Sequence, residues 1–184
     1  MKDLFTVPNI LTVSRMLLLP LFALGFFLKS KFGGILSLSV FTFCCITDFL
    51  DGYYARAFKQ ATKLGQMLDP LADKIVVSIA ILFIVGFRLI SDYAIIPAAV
   101  ILCREIIISG VRDATEFSGR SFRTLLLSKC KTAMQMLALS TLLLASVVGW
   151  PVIPQIGEML LWLSSIIAIA SGIVYCKRHI CEGE

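Results

Sequence analysis

Residues 46–87 read ITDFLDGYYARAFKQATKLGQMLDPLADKIVVSIAILFIVGF. One apolar run carries Asp48 and Asp51 near its end, a polar loop follows, and a second apolar run opens after Asp69. The aspartates Asp48, Asp51, Asp69 and Asp73 stand at fixed spacing, with Gly52, Ala55, Arg56 and Gly65 between them. The pattern is D-x2-D-G-x2-A-R-x8-G-x3-D-x3-D. Carboxylates at the edge of a bilayer are costly, and they repel one another. A bound divalent cation is the best reason to gather four of them. Spacings of i, i+3 and i, i+4 put each pair on one helix face. Two helices joined by a short loop are antiparallel neighbours, so both pairs can meet at one depth. Oxygen ligands of this kind suit Mg²⁺, Mn²⁺ or Ca²⁺. Four carboxylates can hold two such ions and so clamp both sides of a phosphoryl displacement.

The surrounding chain is membrane-like. It has 184 residues, 58% hydrophobic and 16% charged, with a mean hydropathy of +0.91. Soluble domains run at roughly 45–50% apolar and about 25% charged. Six runs are candidate spans: Ile10–Leu28, Ile35–Arg56, Leu71–Phe87, Ala94–Val111, Thr132–Val148 and Gln155–Tyr175. The expected fold is an all-α integral membrane protein of six transmembrane helices, a single membrane domain over 1–184. A short amphipathic segment, MKDLFTVPNILT, leads into the first span, with Pro8 and Asn9 at a helix start or turn. Lys29-Ser30-Lys31 directly after that span, with no small-residue cleavage site, argues against a cleaved signal peptide. The expected loops are Ala57–Gln66, Asp113–Thr124 with Gly119 as breaker, and an uncharged turn with Gly149, Pro151 and Pro154.

Charge sets the orientation. Of 17 Lys and Arg, only Lys29, Lys31 and Arg88 fall toward one side. That bias puts both termini in the cytoplasm. No basic stripe with interleaved aromatics points to nucleic acid. The six cysteines form no CxxC pair and read as small apolar packing groups.

Other roles exist for single members of the motif. Asp69 precedes Pro70 and fits a helix N-cap with proline at the first helical position. Gly52 leaves backbone open to a ligand, and Gly65 lets two helices approach, or both are packing glycines only. Lys63 or Lys74 would neutralise one aspartate. Capping and packing do not bring four carboxylates into register.

The whole pattern resembles that of the CDP-alcohol phosphatidyltransferase family and matches it at every defined position. Further segments look like one branch, the bacterial phosphatidylglycerophosphate synthases: Val7-Pro8-Asn9-Ile10-Leu11-Thr12-Val13-Ser14-Arg15, Leu68 to Lys74, Arg104-Glu105-Ile106-Ile107 through Arg112, and Lys129-Cys130-Lys131-Thr132 with Gln135. Ser128 departs from the glycine expected before Lys129. The resemblance implies six membrane helices, a homodimer, and transfer of a phosphatidyl group from CDP-diacylglycerol to an alcohol with release of CMP. It implies a multi-pass protein of the bacterial cytoplasmic (inner) membrane among membrane lipids, its active site on the cytoplasmic side. Carried onto this sequence, Asp48, Asp51 and Asp69 bind metal, two Mg²⁺ or Mn²⁺ ions. Asp73 binds metal, or is the base that takes the acceptor proton, or both. Asn9, Thr12, Asp48, Gly52, Ala55 and Arg56 form the CDP-diacylglycerol site.

The second half supplies cations. Arg104, Arg112, Lys129 and Lys131 gather at the cytoplasmic ends of spans four and five, with Arg120 and Arg123 in the loop. The positive-inside rule already accounts for part of this. Arg104 lies within its span beside Glu105, and Arg15 lies within span one; each binds a ligand or is a structural ion-pair partner. An acceptor carrying its own phosphate explains the cluster, and the resemblance points to glycerol 3-phosphate. The branch alternatives are a cardiolipin synthase and a phosphatidylinositol-phosphate synthase. The alternative from another class is a divalent-cation transporter, which would be expected to show internal repeats with sites near the midplane. No repeat is visible here. The single histidine, His179, has no Ser–His–Asp or Cys–His partners, so direct attack by the acceptor is the simpler route.

Overall fold

The computed structural model describes residues 7–58, 63–117 and 126–181. These are helical almost throughout: α1 (Val7–Phe27), α2 (Lys31–Phe58), α3 (Lys63–Gly86), α4 (Ile95–Phe117), α5 (Leu126–Val148) and α6 (Val152–Cys181), with one 3-10 turn at Asp92–Ala94 before α4. Among the described residues no strand occurs. A helix satisfies every backbone group within its own segment, which hydrocarbon demands. Five of the helices contain stretches long and apolar enough to cross a membrane: Ile10–Phe27, Lys31–Asp48, Asp92–Val111, Cys130–Val148 and Val152–Val174. The sixth, α3, carries the expected third apolar run.

The helices outrun the apolar stretches. Residues Ala57, Phe58 and Lys63–Gln66, expected in a loop, are helical, as are Asp113–Phe117. The remainder of those two loops, with Arg120 and Arg123, lies outside the described residues, as do residues 1–6 of the amphipathic segment. Hydropathy marks where lipid ends, whereas backbone hydrogen bonding carries a helix on into the polar zone. The N-cap alternative for Asp69 therefore fails. Asp69 is the seventh residue of α3, well inside the helix. Pro8 and Asn9 likewise sit in the first turn of α1.

Three helix ends share one device. Lys29 (φ 45°), Arg88 (φ 54°) and Gly149 (φ 72°) take the left-handed conformation just past α1, α3 and α5. At α3 the Arg88 amide donates to the Val85 carbonyl at 3.0 Å and the Leu89 amide to Ile84 at 3.0 Å. These bonds satisfy carbonyls that the helix end would orphan. Only at Gly149 is the residue type suited to that backbone.

The chain divides into two compact units, Met1–Leu89 with Leu143–Trp150, and Ile90–Leu142 with Pro151–Glu184. In the first, α1 packs on α2 and α3. The α1–α2 crossing is backbone to backbone. A Cβ at Gly25 would stand 2.6 Å from the Gly33 carbonyl oxygen, and one at Gly33 would collide with the carbonyl of Gly25. The Ser37 hydroxyl donates to the Phe22 carbonyl across this crossing at 2.9 Å. Such small-residue contacts are how helices associate in lipid. Beside them Phe22, Phe26, Phe41, Phe83 and Phe87 form a cluster of rings, with neighbouring centroids 5.2–6.2 Å apart.

In the second unit α4 packs on α6. Gly157 lies under Leu142, where a Cβ would meet Cδ2 at 2.6 Å. The Glu158 carboxylate near the start of α6 accepts from the Ser91 amide at 2.6 Å and the Ser91 hydroxyl at 3.0 Å, pinning the 3-10 turn.

Candidate active site

Among the described residues, each unit holds one centre of buried charge. In the first unit the centre is Arg15, on α1 and 1% exposed. Its Nη1 donates to Asp48 Oδ1 on α2 at 2.9 Å and to Asp73 Oδ1 on α3 at 2.5 Å. One carboxylate from each aspartate pair therefore reaches the same nitrogen, a convergence that the motif spacing allows. Both carboxylates remain about a third open, 29% and 35% exposed.

Three helices make this point. Arg15 lies on α1 one turn beyond Thr12, and both are buried. Asp48 sits where α2 leaves its apolar stretch, and Asp73 sits one turn into the apolar part of α3. An isolated guanidinium in such a place would be prohibitively costly, so the two carboxylates stabilise it and it stabilises them. The donor set offered to any visiting ion is carboxylate oxygen, the set hard divalent cations prefer. Two carboxylates already converging on a cation fit that group. Among the described residues no three potential ligands gather. Asp51 and Asp69 complete the motif on α2 and α3, but their side chains lie outside the described residues. The same holds for Asn9, Gly52, Ala55, Arg56 and Gly65, which are placed on their helices only.

In the second unit the centre is Glu105 on α4. Its Oε1 accepts from Lys131 Nζ on α5 in a short ion pair and lies 3.5 Å from Arg104 Nη1. Arg104 Nη2 also donates to the Ser171 hydroxyl on α6 at 3.1 Å, and Ser171 donates on to the Ala168 carbonyl at 2.9 Å. Lys131 is 4% exposed, Arg104 12% and Glu105 15%. Two of the four expected acceptor-phosphate residues, Arg104 and Lys131, are thus brought together. Arg112 on α4 and Lys129 on α5 have side chains outside the described residues.

Sequence reasoning leaves three participants out of the site. Arg15 and Glu105 are visible in the sequence as charges inside apolar runs; of the two readings open for Arg15 and Arg104, the structure shows the ion-pair one, with Asp48 and Asp73 for Arg15 and Glu105 for Arg104. Ser171 gives no signal at all, being one small polar residue among several on α6. Among the described cysteines none forms a disulfide; Cys44 is buried and Cys45 half-buried, as packing groups would be, whereas Cys103 and Cys130 are exposed.

Known proteins resemble this chain over most of its length. A Rickettsia bellii protein named CDP-diacylglycerol–glycerol-3-phosphate 3-phosphatidyltransferase is 37% identical over 178 residues, spanning 94% of this chain and 96% of its own. A Pectobacterium atrosepticum protein of the same name is 34% identical over 95% of this chain and 96% of its own. One from Pseudomonas fluorescens is 42% identical over 74% and 71%. The family profile described as CDP-alcohol phosphatidyltransferase matches residues 5–170, which include every charged residue of both centres. With its aspartates converging from two helices and this match over most of its length, the chain belongs to the CDP-alcohol phosphatidyltransferase family.

Proposed function

We propose that the chain is a multi-pass membrane enzyme that transfers the phosphatidyl group of CDP-diacylglycerol to glycerol 3-phosphate, releasing CMP and forming phosphatidylglycerophosphate. The observation that carries this reading is the convergence of Asp48 and Asp73 on one point, in a chain whose relatives bear that enzyme name. Two divalent cations, Mg²⁺ or Mn²⁺, would be held by Asp48, Asp51, Asp69 and Asp73. When bound they supply positive charge to the diphosphate and its leaving group.

The remaining chemistry belongs to the protein. Asp73 accepts the proton of the acceptor hydroxyl. That oxygen attacks the phosphorus on the diacylglycerol side of the diphosphate, the bond to the CMP oxygen breaks, and CMP leaves with the electron pair. Asn9, Thr12, Gly52, Ala55 and Arg56 orient the cytidine diphosphate portion. Arg104, Arg112, Lys129 and Lys131 hold the acceptor's own phosphate, for which charge-assisted donors are the strong partners. With no covalent enzyme intermediate, positioning and electrostatics supply the catalysis.

The charge asymmetry of the loops supports an orientation with both termini and the active site at the cytoplasmic face of the inner membrane. The polar CDP then meets water while the acyl chains stay in lipid. The whole chain, 1–184, acts as one catalytic domain, and two copies form a homodimer. Asp51→Asn and Asp69→Asn test the site: each keeps the shape and removes a ligand charge. Both should fold normally and lose CMP release far beyond the ~0.5–2 kcal/mol of a lost helix cap. Retention of most activity by both would remove the metal centre from the account.

A further inference from the structure

We infer that Glu105 is a resident counter-ion: it occupies the phosphate site of the empty enzyme and must be displaced by the acceptor's phosphate. The inference rests on the acceptor-site reading above and adds a specificity device to it.

Lys131 and Arg104 are nearly out of water, at 4% and 12% exposure. Buried cations are tolerated only beside an opposite charge. Glu105 provides it, with the single oxygen Oε1 reaching both. Arg104 and Glu105 are adjacent on α4, and neighbours on a helix point in different directions. The Arg104 guanidinium nevertheless turns to Glu105 on one side and to Ser171 on the other. Lys131 reaches the same carboxylate from α5. One carboxylate thus holds together the two cations that a phosphate would bridge.

The trio of Lys131, Arg104 and Glu105 carries one net positive charge. A phosphate monoester brings about −1.5 to −2 charges and three acceptor oxygens. It outbids a single carboxylate for both cations, and the carboxylate must then leave their contact. A neutral alcohol brings no charge and cannot make the exchange. Glu105 therefore selects phosphorylated acceptors by making every other ligand compete with an ion pair already in place. The cost falls on affinity: each acceptor molecule binds net of the displacement.

Glu105→Gln keeps the shape and removes the charge. In the purified full-length enzyme it should lower KM for glycerol 3-phosphate about three- to tenfold, without raising kcat and without changing KM for CDP-diacylglycerol. Inorganic phosphate, used as a non-reacting probe, should raise the melting temperature of this variant at lower concentration than it does for the wild type. A purely structural carboxylate gives the opposite sign: with Lys131 no longer held, KM rises and phosphate protection weakens. That result, or no change in either quantity, overturns the inference. Lys131→Gln separates the two levels of the argument. If it leaves acceptor KM unchanged, the acceptor-site reading itself fails. If it raises KM while Glu105→Gln does not lower it, only the counter-ion role is lost. Should Glu105→Gln fail to fold, Glu105→Asp retracts the same charge by one methylene. It should lower acceptor KM in the same direction by a smaller factor, and a raised KM there refutes the inference.

Discussion

Arg15 holds Asp48 and Asp73 together, so removing its charge should destabilise the metal-free protein and leave the metal-loaded protein much less affected. The change to make is Arg15→Met, which keeps an unbranched side chain of similar length in a site 1% exposed. Breaking a fully buried ion pair by removing one partner costs about 3–5 kcal/mol. Here the carboxylates are 29% and 35% exposed, so water relieves part of their mutual repulsion. A loss of about 2 kcal/mol is the discounted figure. For a chain of this size each kcal/mol moves Tm by roughly 2–4 °C, giving a drop of about 4–8 °C. Thermal unfolding in detergent with a chelator present, followed with a thiol-reactive dye, measures it. Adding millimolar Mg²⁺ or Mn²⁺ should close most of the gap, because an ion bound by the folded state returns the missing charge. Equal melting of both proteins in chelator would refute the bridging role. A gap that divalent ions leave unchanged would separate Arg15 from the metal site.

Further outcomes follow from other contacts. Asp73→Asn should abolish transfer while the protein still binds CDP-diacylglycerol, as read by turnover against equilibrium binding of the labelled lipid. Gly33→Ala should destabilise the α1–α2 crossing by about 1–3 kcal/mol, since its Cβ collides with the Gly25 carbonyl. Gly110→Ala, where nothing lies within 4 Å, should instead be neutral or stabilising by up to about 1 kcal/mol. Arg88→Gly should raise Tm slightly, because φ of 54° strains a side-chain-bearing residue. In sealed cells, a single cysteine at Lys59 should resist a membrane-impermeant maleimide and one at Lys29 should react; the reverse pattern inverts the topology.

Much of this molecule is legible in its sequence, and the limits have a physical origin. Hydropathy finds the spans because a lipid-facing helix needs apolar residues along its length. It stops short of the true ends of α2, α3 and α4, where polar residues continue the same backbone hydrogen bonding. The i, i+3 and i, i+4 spacing anticipates that Asp48 and Asp73 can converge. Nothing periodic reveals that Arg15, 33 and 58 residues away, reaches both. Glu105 and Lys131 are likewise 26 residues apart, on two helices that no local pattern pairs. The glycines illustrate the same limit. Gly52 and Gly65 stand out because they lie in the motif, whereas the close crossing described above is made by Gly25 and Gly33.

The most direct test is an acceptor screen with purified protein, CDP-diacylglycerol and a divalent cation, identifying the lipid product by mass and measuring CMP release. Glycerol 3-phosphate should yield phosphatidylglycerophosphate and equimolar CMP, and a chelator should stop both. Product from phosphatidylglycerol or inositol phosphate, with none from glycerol 3-phosphate, would contradict the account.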